Sequence, residues 1–263
     1  MSITQRLRVP PGLKVLVTGG AAGIGAAIAE GFLEAGARVY VCDIDAQALD
    51  GFRRRHPAAL GAVADVGREE AAAQAVHEAV RAMDGLDVLV NNAGIAGPTG
   101  GIDALATPDW ERTVGTNLNS QFYFLRHAVP HLKRSAHSPH IVAMSSVAGR
   151  LGYPFRTPYA ATKWAVVGLM KSLAAELGPE GVRVNAVLPG VVAGPRMDRV
   201  IAARAQALGL DEAAMRQQYL DRISLRRMVS AEDIAAMVLF LSTPAAANVT
   251  GQAISVDGNV EYL

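Results

Sequence analysis

Two residues in the middle of the chain have the types and spacing needed for proton transfer. Tyr159 and Lys163 are four positions apart and follow Thr157-Pro158, which has the pattern of a helix N-cap followed by proline. Both side chains are therefore predicted on one face of a helix, near its N-terminus. A nearby ammonium group and a helix N-terminus both favour the phenolate, so Tyr159 can act as an acid or a base near neutral pH.

A serine precedes this pair at the end of a predicted strand. Ser146 lies 13 positions before Tyr159, and its hydroxyl can hydrogen-bond the oxygen of an alcohol or carbonyl substrate. A short Tyr-x-x-x-Lys match is common by chance. The alternative is therefore an exposed tyrosine and lysine with a serine in a turn.

A glycine-rich turn near the N-terminus has the pattern of a phosphate-binding loop. Gly19, Gly23, Ile24 and Gly25 follow the first predicted strand and lead into a helical pattern. Glycines permit a tight turn and close approach of the backbone to a pyrophosphate, and a helix N-terminus favours an anion. The spacing departs from the usual G-x-G-x-x-G, so an ordinary glycine-rich turn is the alternative.

Polar residues at the ends of the next strands could bind the rest of a dinucleotide. Asp43 ends the second predicted strand, where a carboxylate can receive the adenosine ribose and repel a 2′-phosphate, which predicts NAD; a turn aspartate is the alternative. Asp65 and Val66 follow the third strand and either contact adenine or form a plain turn. Asn92 and Gly94 follow the fourth, where small residues and amides fit a cofactor ribose but are also common in turns.

The elements that must position these residues alternate along the whole chain. Short β-branched runs alternate with longer helical patterns, which is typical of a parallel sheet covered by crossover helices. Strands are predicted at 13–17, 38–42, 60–64, 86–90, 140–144, 183–187 and 253–256, and helices at 24–35, 46–55, 69–83, 110–133, 158–177 and 231–241. We predict an α/β fold, a doubly wound parallel sheet, in a single domain spanning 1–263.

Residues 191–228 break this alternation. Two helical stretches, 197–208 and 212–220, stand between the sixth and seventh predicted strands. In an open α/β sheet, ligands bind beyond the carboxyl ends of the strands. The insertion is therefore predicted to be a lid over the substrate.

Composition narrows the class of protein. The chain has 263 residues, 51% of them hydrophobic, and a formal net charge of +1, which excludes disorder and gives no electrostatic footprint for nucleic acid. The longest strongly apolar stretch, 234–241, is far shorter than the ~20 residues of a membrane helix. The single cysteine, Cys42, lies in a predicted buried strand, and no apolar signal core follows Arg6 and Arg8. We expect a cytoplasmic protein without a membrane partner.

Together these motifs resemble the classical short-chain dehydrogenase/reductase family, from Val15 to the C-terminus. The matching segments are Thr18-Gly19, Gly23-Ile24-Gly25, Asp65-Val66, Asn91-Asn92-Ala93-Gly94, Thr116-Asn117-Leu118, Ser145-Ser146, Tyr159 with Lys163, Arg183-Val184-Asn185, Pro189-Gly190, Thr250-Gly251-Gln252 and Val256-Asp257-Gly258. The spacing to Tyr159 matches Ser146, rather than Ser145, to the catalytic serine of the family. Gly194 stands where the family often has a threonine that bonds the nicotinamide amide.

The resemblance implies a seven-stranded Rossmann-type sheet and hydride transfer between a nicotinamide cofactor and an alcohol or carbonyl compound. It implies a tetrad in which Tyr159 is the acid/base, Ser146 orients the substrate oxygen, Lys163 holds the nicotinamide ribose and lowers the tyrosine pKa, and Asn117 holds a relay water. The implied cofactor-binding residues are Gly19, Gly23, Ile24, Gly25, Asp43, Asp65, Val66, Asn92, Gly94, Tyr159, Lys163, Pro189 and Val192. It also implies a homotetramer or homodimer, packed through the helices at 110–133 and 158–177.

The predicted function is that of an NAD-dependent dehydrogenase acting on a secondary alcohol or its carbonyl, with a polyol, a sugar or another hydroxy compound as substrate. One alternative is a 3-oxoacyl-carrier-protein-type reductase, which would usually prefer NADPH. A second is a sugar-nucleotide epimerase or dehydratase with a separate substrate domain, for which the chain is too short. A third is a non-catalytic dinucleotide-binding regulatory protein, against which the intact tetrad argues.

Two groups of residues have weaker signals. His127 and His131 have a spacing that can bind a metal, but we see no carboxylate near them in the sequence and predict no metal site. Arg150, Arg156 and Arg196 flank the predicted site. Surface salt bridges are their more common use, and contact with an anionic or heavily hydroxylated substrate is the alternative.

Overall fold

The chain forms one seven-stranded sheet in which all strands are parallel. The computed structural model describes residues 1–262. The strands are β1 (Lys14–Thr18), β2 (Arg38–Asp43), β3 (Leu60–Val63), β4 (Val88–Asn91), β5 (His140–Met144), β6 (Arg183–Pro189) and β7 (Ala253–Val256), in the order β3-β2-β1-β4-β5-β6-β7. The predicted doubly wound parallel sheet is confirmed.

Helices cover both faces of this sheet. They are α1 (Ile3–Arg6), α2 (Gly23–Glu34), α3 (Ala46–Arg55), α4 (Glu69–Met83), α5 (Thr107–Val114), α6 (Ser120–Leu132), α7 (Thr157–Leu177), α8 (Pro195–Leu208), α9 (Glu212–Asp221) and α10 (Ala231–Leu241). One core cluster joins the sheet to α4, α6 and α7, and a second joins it to α2, α3 and α10. No helix within residues 1–262 is long and apolar enough to cross a membrane.

The strands are apolar on both faces because both faces are covered. In β4, Val88 and Val90 belong to one core cluster and Leu89 to the other. Cys42, in β2, is fully buried, as its apolar surroundings in the sequence predict. Burial on both sides produces the continuous apolar runs that mark these strands in the sequence.

The prediction of one continuous helix at 110–133 is wrong, because a π-helical turn interrupts it. The chain forms α5, then a π-helical turn at Gly115–Asn119, and then α6. The π turn places one extra residue in the helical ladder, and it carries Asn117 into the interior. Its position follows from that inward contact, which the period of the apolar residues does not encode.

Residues 191–228 form the two helices expected there, α8 and α9, on the side of the sheet where β6 ends. They have a small core of their own, which includes Ile201, Met215 and Tyr219 and packs against Val147 and Ala148, just after β5. Isolated bridges join the segment to its surroundings, between Val192 and Val229 and between Ile223 and Val260.

Candidate functional site

The glycine loop between β1 and α2 has the backbone shape that a pyrophosphate needs. Gly19 and Gly23 have φ values of +59° and +54°, in the left-handed region that favours glycine. A Cβ on Gly25 would lie 2.0 Å from the carbonyl oxygen of Gly19, whereas a Cβ on Gly23 would meet nothing within 4 Å. The loop is therefore tightly closed at Gly25 and open to a ligand at Gly23.

The N-terminus of α2 is free to bind an anion. Its N-cap residue, Ala22, provides no side-chain hydrogen bond, and its first turn, which holds Ile24, contains no acidic residue. The N–H groups of this turn therefore lack an internal partner, and the helix dipole adds partial positive charge. These features fit the pyrophosphate of a dinucleotide.

Asn92, at the end of β4, fixes the glycine loop in place. Its Nδ2 donates hydrogen bonds to the carbonyl oxygens of Thr18 at 2.9 Å and Gly19 at 3.0 Å. Its backbone N–H and that of Ala93 both donate to the Thr18 hydroxyl at 3.0 Å. Asn92 therefore couples the first and fourth strand ends, which are neighbours in the sheet.

Asp43 lies beside the glycine loop, as its place at the end of β2 predicts. One carboxylate oxygen accepts a hydrogen bond from the N–H of Ala21 and the other from the N–H of Asp45, both at 3.1 Å. Within residues 1–262, no Lys, Arg or His nitrogen lies within 4.0 Å of this carboxylate. It is thus a half-buried acceptor without a cation beside it.

The next strand end places Asp65 and Val66 at the same edge of the sheet, because β3 pairs in parallel with β2. Asp65 is exposed and accepts a hydrogen bond from the N–H of Gly67 at 2.9 Å, which is the turn arrangement considered for it. Val66 is buried in the core beneath the turn.

The tyrosine and lysine lie in the first turns of α7, and Pro158 lies in the first turn. The helix begins one residue earlier than predicted: its N-cap is Arg156 rather than Thr157, and no side chain caps it. The Lys163 Nζ is 5.6 Å from the centroid of the Tyr159 ring, and it donates a hydrogen bond to the carbonyl oxygen of Met144 at 2.8 Å. A Cβ added to Gly94 would lie 3.6 Å from that Nζ, so the loop after β4 passes close to the ammonium group. Tyr159, Lys163 and Gly94 therefore lie close together.

Ser145 and Ser146 make different contacts, which indicate different roles. The Ser145 hydroxyl is buried and donates to the backbone carbonyl of Lys163 at 2.7 Å, so it fastens β5 to α7. The Ser146 hydroxyl accepts a hydrogen bond from the N–H of Ala148 at 3.2 Å and interacts with the phenol of Tyr159. Ser146 is therefore the serine that faces the tyrosine.

The surroundings of Tyr159 shift its pKa in two directions. Burial raises the pKa, and it is the largest single influence. The charges of Lys163 and Arg196 lower it, and the Ser146 hydroxyl and Arg156 lower it further, so the net pKa lies below that of an ordinary tyrosine. The result is a phenol that gives up its proton more readily than one in water.

Lys163 is itself perturbed. Burial lowers the pKa of its ammonium group, the charge of Tyr159 raises it, and Arg196 lowers it again, with a net pKa below the usual value. The two groups thus titrate as a pair whose charges depend on each other.

Asn117 is fully buried at the π turn between α5 and α6. Its Oδ1 accepts a hydrogen bond from the N–H of Ile95 at 2.8 Å, and its Nδ2 donates to the Ile95 carbonyl at 3.1 Å and to the Thr162 hydroxyl at 3.3 Å. Asn117 therefore joins the loop after β4 to α7. Only the resemblance to a family pointed to this residue, because a π turn leaves no simple sequence pattern.

The end of β6 closes the other side of the site. Pro189 is the last residue of β6 and pairs with Val256, and Val192 bridges to Val229. Gly194 has φ +132° and is the N-cap of α8. Because glycine has no side chain, this position lacks the hydrogen bond to the nicotinamide amide that a threonine often makes in the family. Pro189 and Val192, which are expected to contact the nicotinamide, are thus held in place by backbone pairing with Val256 and Val229.

The arginines flanking the site differ from one another. Arg150 forms an ion pair with Asp257 at 2.7 Å, as expected of most such residues. In the described part of the chain, neither Arg156 nor Arg196 has a carboxylate oxygen within 4.0 Å. Both line a cavity of about 410 Å³ together with Arg199, which sequence reasoning missed although it lies one helical turn after Arg196.

His127 has a carboxylate neighbour that the sequence did not predict. Glu69, at the start of α4, lies 3.7 Å from the Nε2 of His127, so this histidine does have a carboxylate neighbour. The contact joins α4 to α6, and it depends on packing that the sequence does not show. Among residues 1–262, no group of three or more His, Cys, Asp or Glu could hold a metal ion.

Comparison with known proteins gives consistent results over nearly the whole chain. A family model described as enoyl-(acyl carrier protein) reductase matches residues 19–260. A probable galactose dehydrogenase of Rhizobium meliloti is 36% identical, with 94% of each chain covered. A diacetyl reductase of Staphylococcus aureus, described as (S)-acetoin forming, is 34% identical and covers 94% of this chain and 97% of its own. A 4-formylbenzenesulfonate dehydrogenase of Comamonas testosteroni is 34% identical, covering 92% of this chain and 95% of its own.

The predicted family is confirmed by these matches and by the sheet order. Members of this family bind a nicotinamide dinucleotide, and the relatives named above are dehydrogenases or reductases of alcohols and carbonyl compounds. The chain therefore belongs to the short-chain dehydrogenase/reductase family, and it is an oxidoreductase acting on an alcohol or a carbonyl substrate.

Proposed function

We propose that the protein is an NAD-dependent dehydrogenase of a secondary alcohol, or the reductase of the corresponding carbonyl, with Tyr159 as acid and base. The single observation that carries this proposal is the placement of the Tyr159 phenol beside the Lys163 ammonium and the Ser146 hydroxyl. In alcohol oxidation the phenolate accepts the hydroxyl proton, and in carbonyl reduction the phenol donates it. Ser146 orients the substrate oxygen toward Tyr159.

The cofactor would lie along the carboxyl ends of the strands. Gly19, Gly23, Ile24 and Gly25 would hold its pyrophosphate, Asp43 its adenosine ribose, and Asp65 and Val66 its adenine. The remaining contacts, to the nicotinamide half, would come from Asn92, Gly94, Lys163, Pro189 and Val192. When bound, the nicotinamide supplies the hydride acceptor for oxidation and the hydride donor for reduction.

The test of the catalytic assignment is Tyr159→Phe. This change removes the proton donor and acceptor but keeps the ring, so kcat should fall by ~10²-fold or more while NAD binding is nearly unchanged. Tyr123→Phe, on α6, is the matched control and should keep full activity. Retention of most activity in Tyr159→Phe would exclude this mechanism.

The choice of NAD over NADP rests on Asp43, which has two oxygens at the loop and no cation beside it. We expect NAD to exceed NADP by about tenfold or more in kcat/KM, because a 2′-phosphate would lose two hydrogen bonds and meet a like charge. Asp43→Ala should narrow this ratio. Asp45→Ala, which removes the N-cap of α3, should change stability but not the ratio.

The first alternative is a 3-oxoacyl-carrier-protein-type reductase, which a preference for NADPH would favour. The second is a non-catalytic dinucleotide-binding protein, which a complete absence of turnover with every alcohol and carbonyl tested would favour. The relatives act by name on a sugar, a diketone and a formylbenzenesulfonate, so polyols, sugars and other hydroxy compounds are the substrates to test.

Two further features belong to the proposal. A homodimer or homotetramer is supported by exposed aromatic residues on α5, α6 and α7, namely Trp110, Phe122 and Trp164. A cytoplasmic location is supported by the single cysteine, which is buried and unpaired.

A further inference from the structure

The cavity that contains Arg156, Arg196 and Arg199 lies next to the proposed acid/base. Its walls come from the loop after β4, from Arg156 just before α7, and from the first turns of α8. The guanidinium carbon of Arg156 is 5.3 Å from the centroid of the Tyr159 ring. A group bound in this cavity would therefore lie close enough to Tyr159 to belong to the same substrate.

The charge of this cavity is unbalanced. Three arginines line it, and no aspartate or glutamate is among its lining residues. By contrast, the charge of Arg150 is neutralised by Asp257, with which it forms an ion pair at 2.7 Å. Arg156, Arg196 and Arg199 have no carboxylate oxygen within 4.0 Å in the described residues. Arg156 and Arg196 lower the pKa of Tyr159, but no carboxylate of the described residues neutralises their charge.

Arg156 is the most informative of the three, because it is only 2% exposed. One of its terminal nitrogens donates to the carbonyl oxygen of Ala96 at 2.6 Å, and the guanidinium lies against the rings of Tyr153 and Tyr159. Its Nε is buried and has no hydrogen-bond partner. A buried guanidinium without a counter-ion is costly, and because Arg156 lines the cavity, an anionic ligand there can supply the missing charge.

We propose that this cavity binds an anionic group of the substrate, a compact oxyanion such as a carboxylate, sulfonate or phosphate ester. The substrate would then be a hydroxy or oxo compound with one reacting oxygen at Tyr159 and one anionic end at Arg156. This inference deepens the proposed function and rests on it. A planar guanidinium fork fits such oxyanions through two parallel hydrogen bonds.

The three arginines would have different roles. Arg156 is buried and fixed by Ala96 and two aromatic rings, so it would anchor the anion. Arg196 and Arg199 are exposed on α8, and Arg196 donates to the carbonyl oxygen of Gly94 at 3.0 Å. They would complete the site from the side of the insertion and favour entry of anions.

The cofactor is a weaker candidate for this charge. Its pyrophosphate has a site at the N-terminus of α2, and no residue of the loop from Gly19 to Gly25 lines the arginine cavity. Measuring NADH affinity separates the two ligands. If loss of Arg156 weakens NADH binding as much as it weakens anion binding, the arginine serves the cofactor and the proposal is wrong.

The test measures binding, so it does not depend on turnover. Butyrate, butanesulfonate, butyl phosphate and uncharged butyramide are titrated into the protein saturated with NADH, and binding is followed by nicotinamide fluorescence and by the melting temperature. At least one anion should bind about tenfold or more tightly than butyramide, since charged hydrogen bonds replace neutral ones. Equal binding of all four compounds would overturn the proposal, and the ranking of the three anions identifies the oxyanion.

Variants assign the effect to the cavity. Arg156→Gln should remove the preference for the anion, and Arg156→Lys should restore part of it because the charge returns without the fork. Arg81→Gln, an exposed arginine on α4 outside the cavity, is the control and should behave as the wild type. If Arg156→Gln does not fold, the double exchange of the exposed Arg196 and Arg199 to Gln tests the cavity instead and should reduce the preference, because both residues lie on its wall. A preference for anions that keeps its wild-type value in whichever variant folds would contradict the proposal.

A last arm separates this inference from the proposed mechanism. Tyr159→Phe should bind the anions as tightly as the wild type although it turns over slowly. In the wild type, a preference for anions without turnover of any alcohol or carbonyl compound would retain the cavity assignment and remove the acid/base assignment. Turnover by the wild type without a preference for anions would do the reverse.

Discussion

The side chain of Asn117 brackets the backbone of Ile95, accepting its N–H at 2.8 Å and donating to its carbonyl at 3.1 Å. This two-point contact joins the π turn to the loop that follows β4. The same loop carries Gly94, where a Cβ would lie 3.1 Å from the Asn117 Oδ1 and 3.6 Å from the Lys163 Nζ. The buried amide of Asn117 therefore helps to hold this loop against Lys163.

Asn117→Ala should leave both polar groups of Ile95 without their partner. Because the contact is part-buried, the free energy of unfolding should fall by about 1–3 kcal/mol, and kcat should fall as the loop loosens. Urea denaturation and steady-state kinetics measure the two effects. Asn119→Ala, in the same π turn but exposed, is the control. Equal effects of the two changes would show that the hydrogen bonds between Asn117 and Ile95 have no special role.

The two adjacent serines should respond differently to the same change. Ser146→Ala removes the hydroxyl that faces Tyr159, so kcat should fall by about 10- to 100-fold with little loss of stability. Ser145→Ala removes the hydrogen bond to the Lys163 carbonyl and should mainly lower the melting temperature. Kinetics and thermal melting of both variants separate the roles, and the opposite pattern would exchange them.

The sheet could be predicted from the sequence because its strands are covered on both faces. Val88, Leu89 and Val90 all had to be apolar, two for one core and one for the other, and such runs are visible without a structure. Many residues of the proposed site directly follow a strand, so predicting the strands also predicted the approximate positions of these residues. The glycines at 19 and 23 were also readable, because their positive φ values restrict the choice of residue.

What the sequence did not show depends on contacts between distant residues. The π turn was not predicted, because it depends on the contacts of Asn117 with Ile95 and Thr162 rather than on a local pattern. Arg156 looks like a surface residue, and its burial comes from Ala96, 60 positions earlier in the chain, and from two tyrosine rings. Charge in a sequence predicts exposure, and only the fold shows which arginine lacks a counter-ion.

His140 should make the protein sensitive to acid. It is fully buried in β5, and burial, with a smaller effect of the charge of Arg183, holds its pKa well below the usual value. In the unfolded chain the His140 imidazole takes up a proton near pH 6.5, whereas in the folded protein the buried imidazole stays neutral there. The free energy of unfolding should therefore decrease as pH falls below about 6.5, by at most ~1.4 kcal/mol per pH unit.

Urea denaturation between pH 7.5 and 5 measures this loss. His140→Gln should have a shallower dependence than the wild type, because it has no group to protonate in the unfolded chain. His137→Gln, at an exposed position, should keep the wild-type slope. Parallel slopes for all three proteins would remove His140 as the cause.

Assembly should be visible in solution. Trp164 is 52% exposed on α7 and Phe122 is 50% exposed on α6, so two neighbouring helices present large aromatic side chains. Light scattering at micromolar concentration should give the mass of a dimer or tetramer, and a double exchange of these residues to Glu should lower it. Ile3→Glu, on α1, is the control. A monomer mass for the wild type would contradict the prediction.

The insertion at 191–228 is attached to the rest of the site at two places. At its start, Arg196 donates to the carbonyl oxygen of Gly94 at 3.0 Å. Deeper in the insertion, the Tyr219 hydroxyl lies 2.7 Å from that of Tyr153 and accepts from Arg204 at 3.0 Å. A ligand that orders the loop at Gly94 can therefore stabilise the whole insertion.

We expect residues 191–228 to exchange backbone hydrogens more slowly once NAD is bound, because closure over the cofactor reduces local opening. Hydrogen exchange with and without NAD, read peptide by peptide, is the measurement, and β4 should show no such change because it is already buried in the core. Arg196→Gln removes the hydrogen bond to Gly94 and should weaken the protection in α8 more than in α9. Equal exchange rates in the insertion with and without NAD would identify α8 and α9 as a rigid wall rather than a lid.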